Sequence, residues 1–264
     1  MALSRLEQSG NYSESLQERL IGWFKTHCRD LPWRRTYNPY HVWISEIMLQ
    51  QTQMERGVDY FVRWIKRFPD VEAVAAAEQQ TILKYWEGLG YYSRARNLHK
   101  AAKIIVDDFG GEVVCDYDVL LQLPGIGPYT AAAIASVAGN RDVVVIDANV
   151  SRVYARLFDI AAPVKEKKGK DQVAAIAREL LPGGKARLYN QAVMELGGLV
   201  CTPKAPKCRK CPLSRCCLAF LKGTVSERPV TGKSKKITTV QRVSGLVFHK
   251  GSVLLLQRRE RDVW

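Results

Sequence analysis

No apolar run in this 264-residue chain approaches the length needed to cross a bilayer. The opening residues, Met1-Ala2-Leu3-Ser4, lack the basic-then-apolar order of a secretory signal. These two absences point to a cytoplasmic, reducing compartment with no membrane partner, where thiols are spared for ligation rather than disulfides. Strand patterns are scarce before residue 240, which excludes a large sheet from most of the chain. Acidic residues are also in short supply: 26 Asp and Glu face 40 Lys and Arg, a formal charge of +14. That balance favours a polyanionic partner but does not by itself separate nucleic acid from an acidic membrane surface. Aromatic residues interleave with the cations in Trp33-Arg34-Arg35 and Tyr91-Tyr92-Ser93-Arg94. Such mixing suits phosphate neutralisation combined with base contacts.

What the chain does contain is helical periodicity, and a hydrophobic content of 47% is enough for a real core. Apolar spacing predicts a helix over 14–27, two helices within 40–67, and others near 71–87, 93–109, 116–122, 129–138, 147–158, 171–181 and 187–200. Gly and Pro punctuate between them, at Phe68-Pro69, Gly88-Leu89-Gly90, Pro124-Gly125 and Pro182-Gly183-Gly184. Residues 1–221 therefore read as one all-α region. The stretch 222–239, rich in Lys, Ser, Thr, Gly and Pro, reads as an exposed linker. Beyond it, 242–248 and 252–256 read as two strands about a His249-Lys250-Gly251 turn. A lone hairpin is marginal in water, so 240–264 reads as the start of a β-containing domain whose remainder is missing.

Seven cysteines are present, and Cys201, Cys208, Cys211 and Cys217 follow the spacing C-x6-C-x2-C-x5-C. Four thiolates in so short a segment can wrap a 4Fe–4S cubane, one sulfur to each iron corner. Structural zinc is the alternative, although it more often uses two close pairs separated by a longer loop. Cys216 competes with Cys217 for the last place. Cys28 and Cys115 read as ordinary buried thiols. Lys204, Lys207, Arg209, Lys210 and Arg215 surround the cluster of cysteines and offer a basic surface to a phosphate backbone.

Between two helical stretches lies Leu123-Pro124-Gly125-Ile126-Gly127. Gly125 and Gly127 permit a tight turn and a close phosphate approach, and the following helix offers free N–H groups to an anion. Most such turns only connect helices; in a basic all-α chain this one is a helix-hairpin-helix candidate that holds DNA without reading sequence. Two carboxylates stand out by setting. Glu46 sits within Val42-Trp43-Ile44-Ser45-Glu46-Ile47-Met48-Leu49, where desolvation keeps a proton available for donation. Asp147 follows Val143-Val144-Val145-Ile146 and opens a helix, whose dipole favours an ionised acid. Taken singly, a helix N-cap for Asp147 and a water-facing helix edge for Glu46 are the commoner roles.

The segment Ser45-Glu46-Ile47-Met48-Leu49-Gln50-Gln51-Thr52-Gln53, the hairpin Leu123 to Thr130, Asp147-Ala148-Asn149-Val150 and the four cysteines occur here in one order. Together they resemble the MutY adenine glycosylases across nearly all of residues 15–220. The hairpin, the Asp and the cysteines are shared with endonuclease III; the Glu46 segment and Tyr129 separate the two. The bifunctional relatives carry a catalytic Lys where this chain has Tyr129, and a phenol forms no Schiff base with a sugar.

The resemblance implies an all-α helix-hairpin-helix DNA glycosylase, a six-helix-barrel domain plus an iron–sulfur domain, with 240–264 as a truncated start of a Nudix-like 8-oxoguanine-recognition domain. It implies a monofunctional enzyme acting as a monomer on double-stranded DNA with adenine opposite 8-oxoguanine or guanine, and association with the nucleoid through that DNA. Glu46 then protonates adenine and Asp147 stabilises the cationic sugar, with Tyr129 and Asn149 supporting the site. The base must first leave the stack. Leu49, Gln51 and Tyr91 match positions that wedge into the duplex, and Arg34 and Gln191 match the adenine pocket. Cys201, Cys208, Cys211 and Cys217 match the ligands of a 4Fe–4S cluster. The family usually has Gly where Ala148 stands, a methyl group that leaves activity expected. A chain that stops at Trp264 is expected to keep the chemistry and lose some preference for 8-oxoguanine over guanine.

The rival readings are a same-fold glycosylase for oxidised pyrimidines or thymine mismatches, and a DNA-binding module without catalysis. A Nudix pyrophosphatase fails because no Glu-rich metal-binding helix follows the hairpin.

Overall fold

A computed structural model describes residues 10–232, 239 and 245–254. The chain divides into two units, Met1–Gly232 and Lys233–Trp264. In the first, short polar side chains set several helix starts. Asn38 accepts from the His41 N–H with Pro39 in the first turn, Asp70 accepts from Ala73, and Asp116 accepts from Asp118 and Val119. The helices are α1 (Gly10–His27), α2 (Pro32–Thr36), α3 (Pro39–Leu49), α4 (Met54–Arg67), α5 (Val71–Ala75), α6 (Gln79–Trp86) and α7 (Ser93–Phe109). They continue with α8 (Tyr117–Leu120), α9 (Pro128–Ala133), α10 (Ala148–Leu157), α11 (Lys167–Leu180), α12 (Ala186–Leu199) and α13 (Leu218–Leu221). A π-helical turn, Ile134–Ala138, extends α9.

The buried side chains sort into two principal cores. Trp43, Trp64, Phe68, Ile82, Trp86 and Leu98 belong to one, built from residues 31–138. Its centre is aromatic: the Trp64 ring lies 4.7 Å from Phe68 and 5.7 Å from Trp86. The Trp64 indole N–H donates to the Tyr40 hydroxyl at 3.1 Å, and that hydroxyl donates to the Phe68 carbonyl at 2.8 Å. The buried polar ends are thereby satisfied. Leu16, Leu20, Phe24, Tyr154, Ile176 and Tyr189 belong to the other core. Thus α1 packs on α12, far away in sequence, and the chain leaves this lobe only to build the first and return. The chain crosses between the lobes near Leu31 and again between Ala138 and Asp147. Arg34 and Asp147, just past these crossings, both lie close enough to Glu46 to shift its pKa.

The helical expectations hold, with differences in detail. The stretch 71–87 is two helices, because residues 76–78 break the run and turn the chain so that both Val74 and Trp86 reach the core. Helix α2 and the four-residue α13 escape apolar periodicity because each is too short to show it. Cys28, expected buried, is exposed just beyond the end of α1. The expected linker 222–239 begins too early. Thr224 and Arg228 are held by Asp159 at 2.8 and 2.9 Å, Arg156 donates to the Arg228 carbonyl at 2.9 Å, and the Val164 N–H donates to Val230 at 3.3 Å. Composition misled because a polar segment can be fastened by ion pairs and backbone hydrogen bonds as well as by apolar burial.

In the second unit a two-residue turn, Lys250-Gly251, has positive φ at both positions and joins β1 (Phe248–His249) to β2 (Ser252–Val253). Phe248 pairs with Val253 and His249 with Ser252 in antiparallel register. The rest of the two expected strands lies outside the described residues.

Because Leu20 is 1% exposed at the α1–α12 contact, Leu20→Ala is expected to destabilise the protein by about 2–4 kcal/mol. Val62→Ala, at a 52% exposed position, should cost under about 1 kcal/mol in the same denaturant titration.

Candidate active site

Helix α3 is apolar on nearly every side: Val42, Trp43, Ile44, Ser45, Ile47 and Met48 are all buried. Glu46 is carried in this helix and is only partly exposed. Burial foremost pushes its carboxyl up to about 7, against a hydrogen bond from Tyr129 and the charge of Arg34, which lower it, and with the charge of Asp147, which raises it. Glu46 is therefore poised between acid and carboxylate near neutral pH. Burial, with the Glu46 and Asp147 charges, holds the Tyr129 phenol far above its ordinary range. It stays neutral and can donate to Glu46.

Asp147 caps α10, accepting from the Val150 N–H at 2.6 Å through one oxygen and from the Asn149 amide at 2.9 Å through the other. Both readings of Asp147 are therefore compatible, since a capping carboxylate still faces Glu46 closely enough to raise its pKa. Asn149 accepts from Arg152 at 2.7 Å, and Arg152 also donates to the Gly197 and Cys201 carbonyls at 3.0 and 2.7 Å. At Gly197 a Cβ would stand 2.7 Å from the Asn149 Cβ, so α12 can approach the start of α10 only with glycine there. Ala148 is exposed in the first turn of α10.

The hairpin turn leads directly into α9, the helix that carries Tyr129. Leu123 and Ile126 are buried as anchors, while Gly125 and Gly127 are exposed. Gly125 has φ +80, and a Cβ on it would press to 2.7 Å from the Asn97 Cβ. Gly127 is the N-cap of α9, followed by Pro128. A Cβ on Gly127 would meet nothing within 4 Å, so the space there is open.

Residues 44–183 match a family model described as HhH-GPD superfamily base excision DNA repair protein. The chain belongs to this superfamily. Among its relatives, the adenine DNA glycosylase of Buchnera aphidicola (Schizaphis graminum) is 34% identical over 93% of this chain and 71% of its own. That of Mycolicibacterium smegmatis is 42% identical, covering 79% and 72%. The rat adenine DNA glycosylase is 39% identical over 78% of this chain but only 42% of its own length. These likenesses place the chain among the MutY-type members. The structure of a thermostable thymine-DNA glycosylase superposes with a TM-score of 0.72 at 29% identity, covering 80% of this chain and 97% of that one. An endonuclease III–DNA complex shares the fold, with a TM-score of 0.63 at 22% identity.

The remaining residues of this HhH-GPD chain fall into three groups. Leu49 ends α3 and lies where a Cβ on Gly57 would be, while Gln51 and Tyr91 hold positive φ of 57° and 47° in two exposed loops. Arg34 donates to Glu195 at 2.9 Å and lies close enough to influence Glu46. Gln191 is buried on α12, but its amide donates to the Arg187 carbonyl at 2.9 Å in its own helix, and no hydrogen bond joins it to Glu46 or Asp147.

Cys201, Cys208, Cys211 and Cys217 line one small cavity with Arg156 and Val200; Cys216 is absent from that lining. Burial foremost pushes Cys211 up to about 12 and Cys217 up to about 11. Arg156 donates to the Cys201 sulfur at 3.4 Å. Among the described residues, no group of three or more His, Cys, Asp or Glu side chains is placed to hold one metal ion. A cubane asks for something else, one sulfur at each of several iron corners, and four thiols around a shared space fit that demand.

Glu195 was not singled out from the sequence. It is 1% exposed, and burial alone would raise its pKa; hydrogen bonds from Arg29 and Arg34 overcome this and hold it at about 2. Its signal was the same as that of Glu46, a carboxylate inside an apolar helix (Ala192-Val193-Met194-Glu195-Leu196).

Linkage gives a stability test. Glu46 binds its proton up to about pH 7 when folded and up to 4.5 when unfolded, so its contribution is present below 4.5 and lost as pH rises through 7. Glu46→Gln is expected to stabilise the protein by about 1–3 kcal/mol at pH 8 and by little at pH 4, read from denaturant midpoints. Glu195→Gln should instead cost about 3 kcal/mol, since it strands two arginines.

Proposed function

We propose that this chain hydrolyses the N-glycosidic bond of adenine paired with 8-oxoguanine or guanine in double-stranded DNA, and that it acts as a monofunctional enzyme and a monomer. The observation that carries this reading is the pairing of Glu46, held near neutral pKa, with Asp147 and the neutral Tyr129 in a MutY-type chain. The adenine names of the relatives agree with it. The bound base leaves the stack and is brought to Glu46, where residues of the two lobes meet. The Glu46 carboxyl donates its proton to a ring nitrogen of adenine, which makes the base a neutral leaving group. As the bond to C1′ breaks, the Asp147 carboxylate, held by Asn149 and the Val150 N–H, faces the cationic sugar. Water then adds at C1′ and its proton returns to Glu46, leaving free adenine and an abasic site. Tyr129 offers no amine, so no Schiff base forms and the strand stays intact.

Arg34 and Gln191 line the base pocket in this reading. Leu49, Gln51 and Tyr91 fill the space the base vacates, and the Gly125–Gly127 hairpin holds the backbone with its N–H groups. Lys204, Lys207, Arg209, Lys210 and Arg215 are all exposed, and none is in an ion pair among the described residues. They suit a second stretch of phosphates. Cys201, Cys208, Cys211 and Cys217 would hold a 4Fe–4S cluster whose contribution is to brace that basic loop. The hairpin of β1 and β2 would belong to the domain that reads 8-oxoguanine.

The direct test is single-turnover cleavage of a duplex with adenine opposite 8-oxoguanine, with and without hot alkali. Strand breaks only after alkali, and their loss in Glu46→Gln, are expected; breaks without alkali would overturn the monofunctional assignment. Release of thymine from a G:T duplex, in place of adenine, would favour the chemistry named for the thymine-DNA glycosylase neighbour. The rate should fall about tenfold per pH unit above about 7, as Glu46 loses its proton. Cys217→Ser should abolish the visible absorbance of the purified protein, while Cys216→Ser should leave it.

A further inference from the structure

Arg94, in the first turn of α7, makes an unusual set of contacts. One terminal nitrogen donates to the carbonyls of Ile47, Met48 and Gln50 at 2.8, 3.3 and 2.7 Å. The other donates to Leu89 and Gly90, both at 3.2 Å. The guanidinium carbon lies 5.2 Å from the Trp86 ring centre and 5.6 Å from that of Tyr91. Among the described residues no carboxylate pairs with it. A part-buried cation is thus balanced by five carbonyl oxygens and two ring faces. Burial lowers its pKa, yet arginine remains charged at any working pH.

The carbonyls belong to two separate pieces of chain. Ile47 and Met48 lie in the last turn of α3 and Gln50 caps it, and the cation favours this negative end of the helix dipole. Leu89 and Gly90 form the turn before α7. Immediately after each acceptor group stands a residue with positive φ, Gln51 on one side and Tyr91 on the other. Side chains rarely take that conformation in isolation, so the surrounding structure must hold them there. Tyr91 is 62% exposed and Gln51 is exposed too, so neither is held in place by core burial. Arg94 also reaches the carbonyl next to Glu46 in sequence.

We propose that Arg94 is a positioning residue that locks the Tyr91 loop to the end of the Glu46 helix, so that base extrusion and placement of the acid occur as one event. The proposal rests on the glycosylase reading above. When Tyr91 and Gln51 enter the duplex, load on either loop passes through one planar fork to the backbone beside Glu46. A lysine keeps the charge but offers a single ammonium, which cannot reach both loops in this geometry.

The test uses the full chain and a duplex carrying 2-aminopurine beside the target pair, with unstacking followed by stopped-flow fluorescence. Arg94→Lys is expected to bind the duplex within about threefold of wild type. It should lose unstacking amplitude and single-turnover base release together, by about tenfold or more. Tyr91→Ala combined with Arg94→Lys should unstack no worse than Tyr91→Ala alone, because both act on one step. Losses that multiply, as a general packing defect would give, overturn the proposal. So does wild-type unstacking in Arg94→Lys. Should Arg94→Lys fail to fold, Gly90→Ala serves, since it strains the φ +72 position at the far end of the lock and leaves the guanidinium in place. Gly90→Ala must then show the same paired loss, and normal unstacking in it overturns the lock. If the wild-type protein unstacks the duplex but releases no adenine, the substrate assignment falls while the lock is still measured, because fluorescence needs no bond cleavage.

Discussion

A carboxyl group kept near pKa 7 by burial is the interaction on which the rest of this molecule is arranged. An exposed glutamate gives up its proton near its ordinary value of 4.5 and has none to donate at neutral pH. Raising it requires taking Glu46 out of water, and the apolar sequence of α3 does so on the side of the first core. It also requires that stray cations not neutralise the effect. Arg34, the nearby cation that lowers Glu46, is itself engaged by Glu195. The Arg29–Glu195–Arg34 group, centred on the buried Glu195, therefore sets how much positive charge reaches the acid.

The second requirement is that Asp147 approach Glu46 from a different lobe. A chain that folded in sequence order would place these residues on separate domains. Instead α1 packs on α12, and the lobe it begins is completed only after residue 147. Both crossings lead into residues that act on Glu46, namely Arg34 and Asp147, so the site draws on both cores. The Gly197 approach to Asn149 and the Arg152 bridge to Cys201 fix the Asp147 side from below. The region of the four cysteines is consequently continuous, through hydrogen bonds, with the cap that positions Asp147.

Much of this was legible in the linear pattern. The helices over 93–109 and 187–200 were visible because their apolar faces repeat every turn. Glu46 was visible because a carboxylate is conspicuous among Trp43, Ile44, Ile47 and Met48. Glu195 carried the same signal and passed unread, since it lacked a motif around it. The linker was misplaced because Asp159, which fastens Thr224 and Arg228, lies far from them in sequence. The amide of Gln191, which resemblance assigns to the base pocket, donates to the Arg187 carbonyl of its own helix, a contact no sequence pattern encodes.

By itself the sequence determined the all-α class, the basic surface, the cysteine spacing, the glycine turn at Gly125 and the phenol in place of an amine at Tyr129. These are properties of residue type and short spacing, and they survive without knowing what packs where. Only the tertiary structure decided that Glu46, Tyr129 and Asp147 meet, that Glu195 gathers two arginines, and that one guanidinium spans the loops of Gln51 and Tyr91. Each of those depends on the distance between residues remote in the chain. Desolvation and charge act through that distance, not through sequence separation.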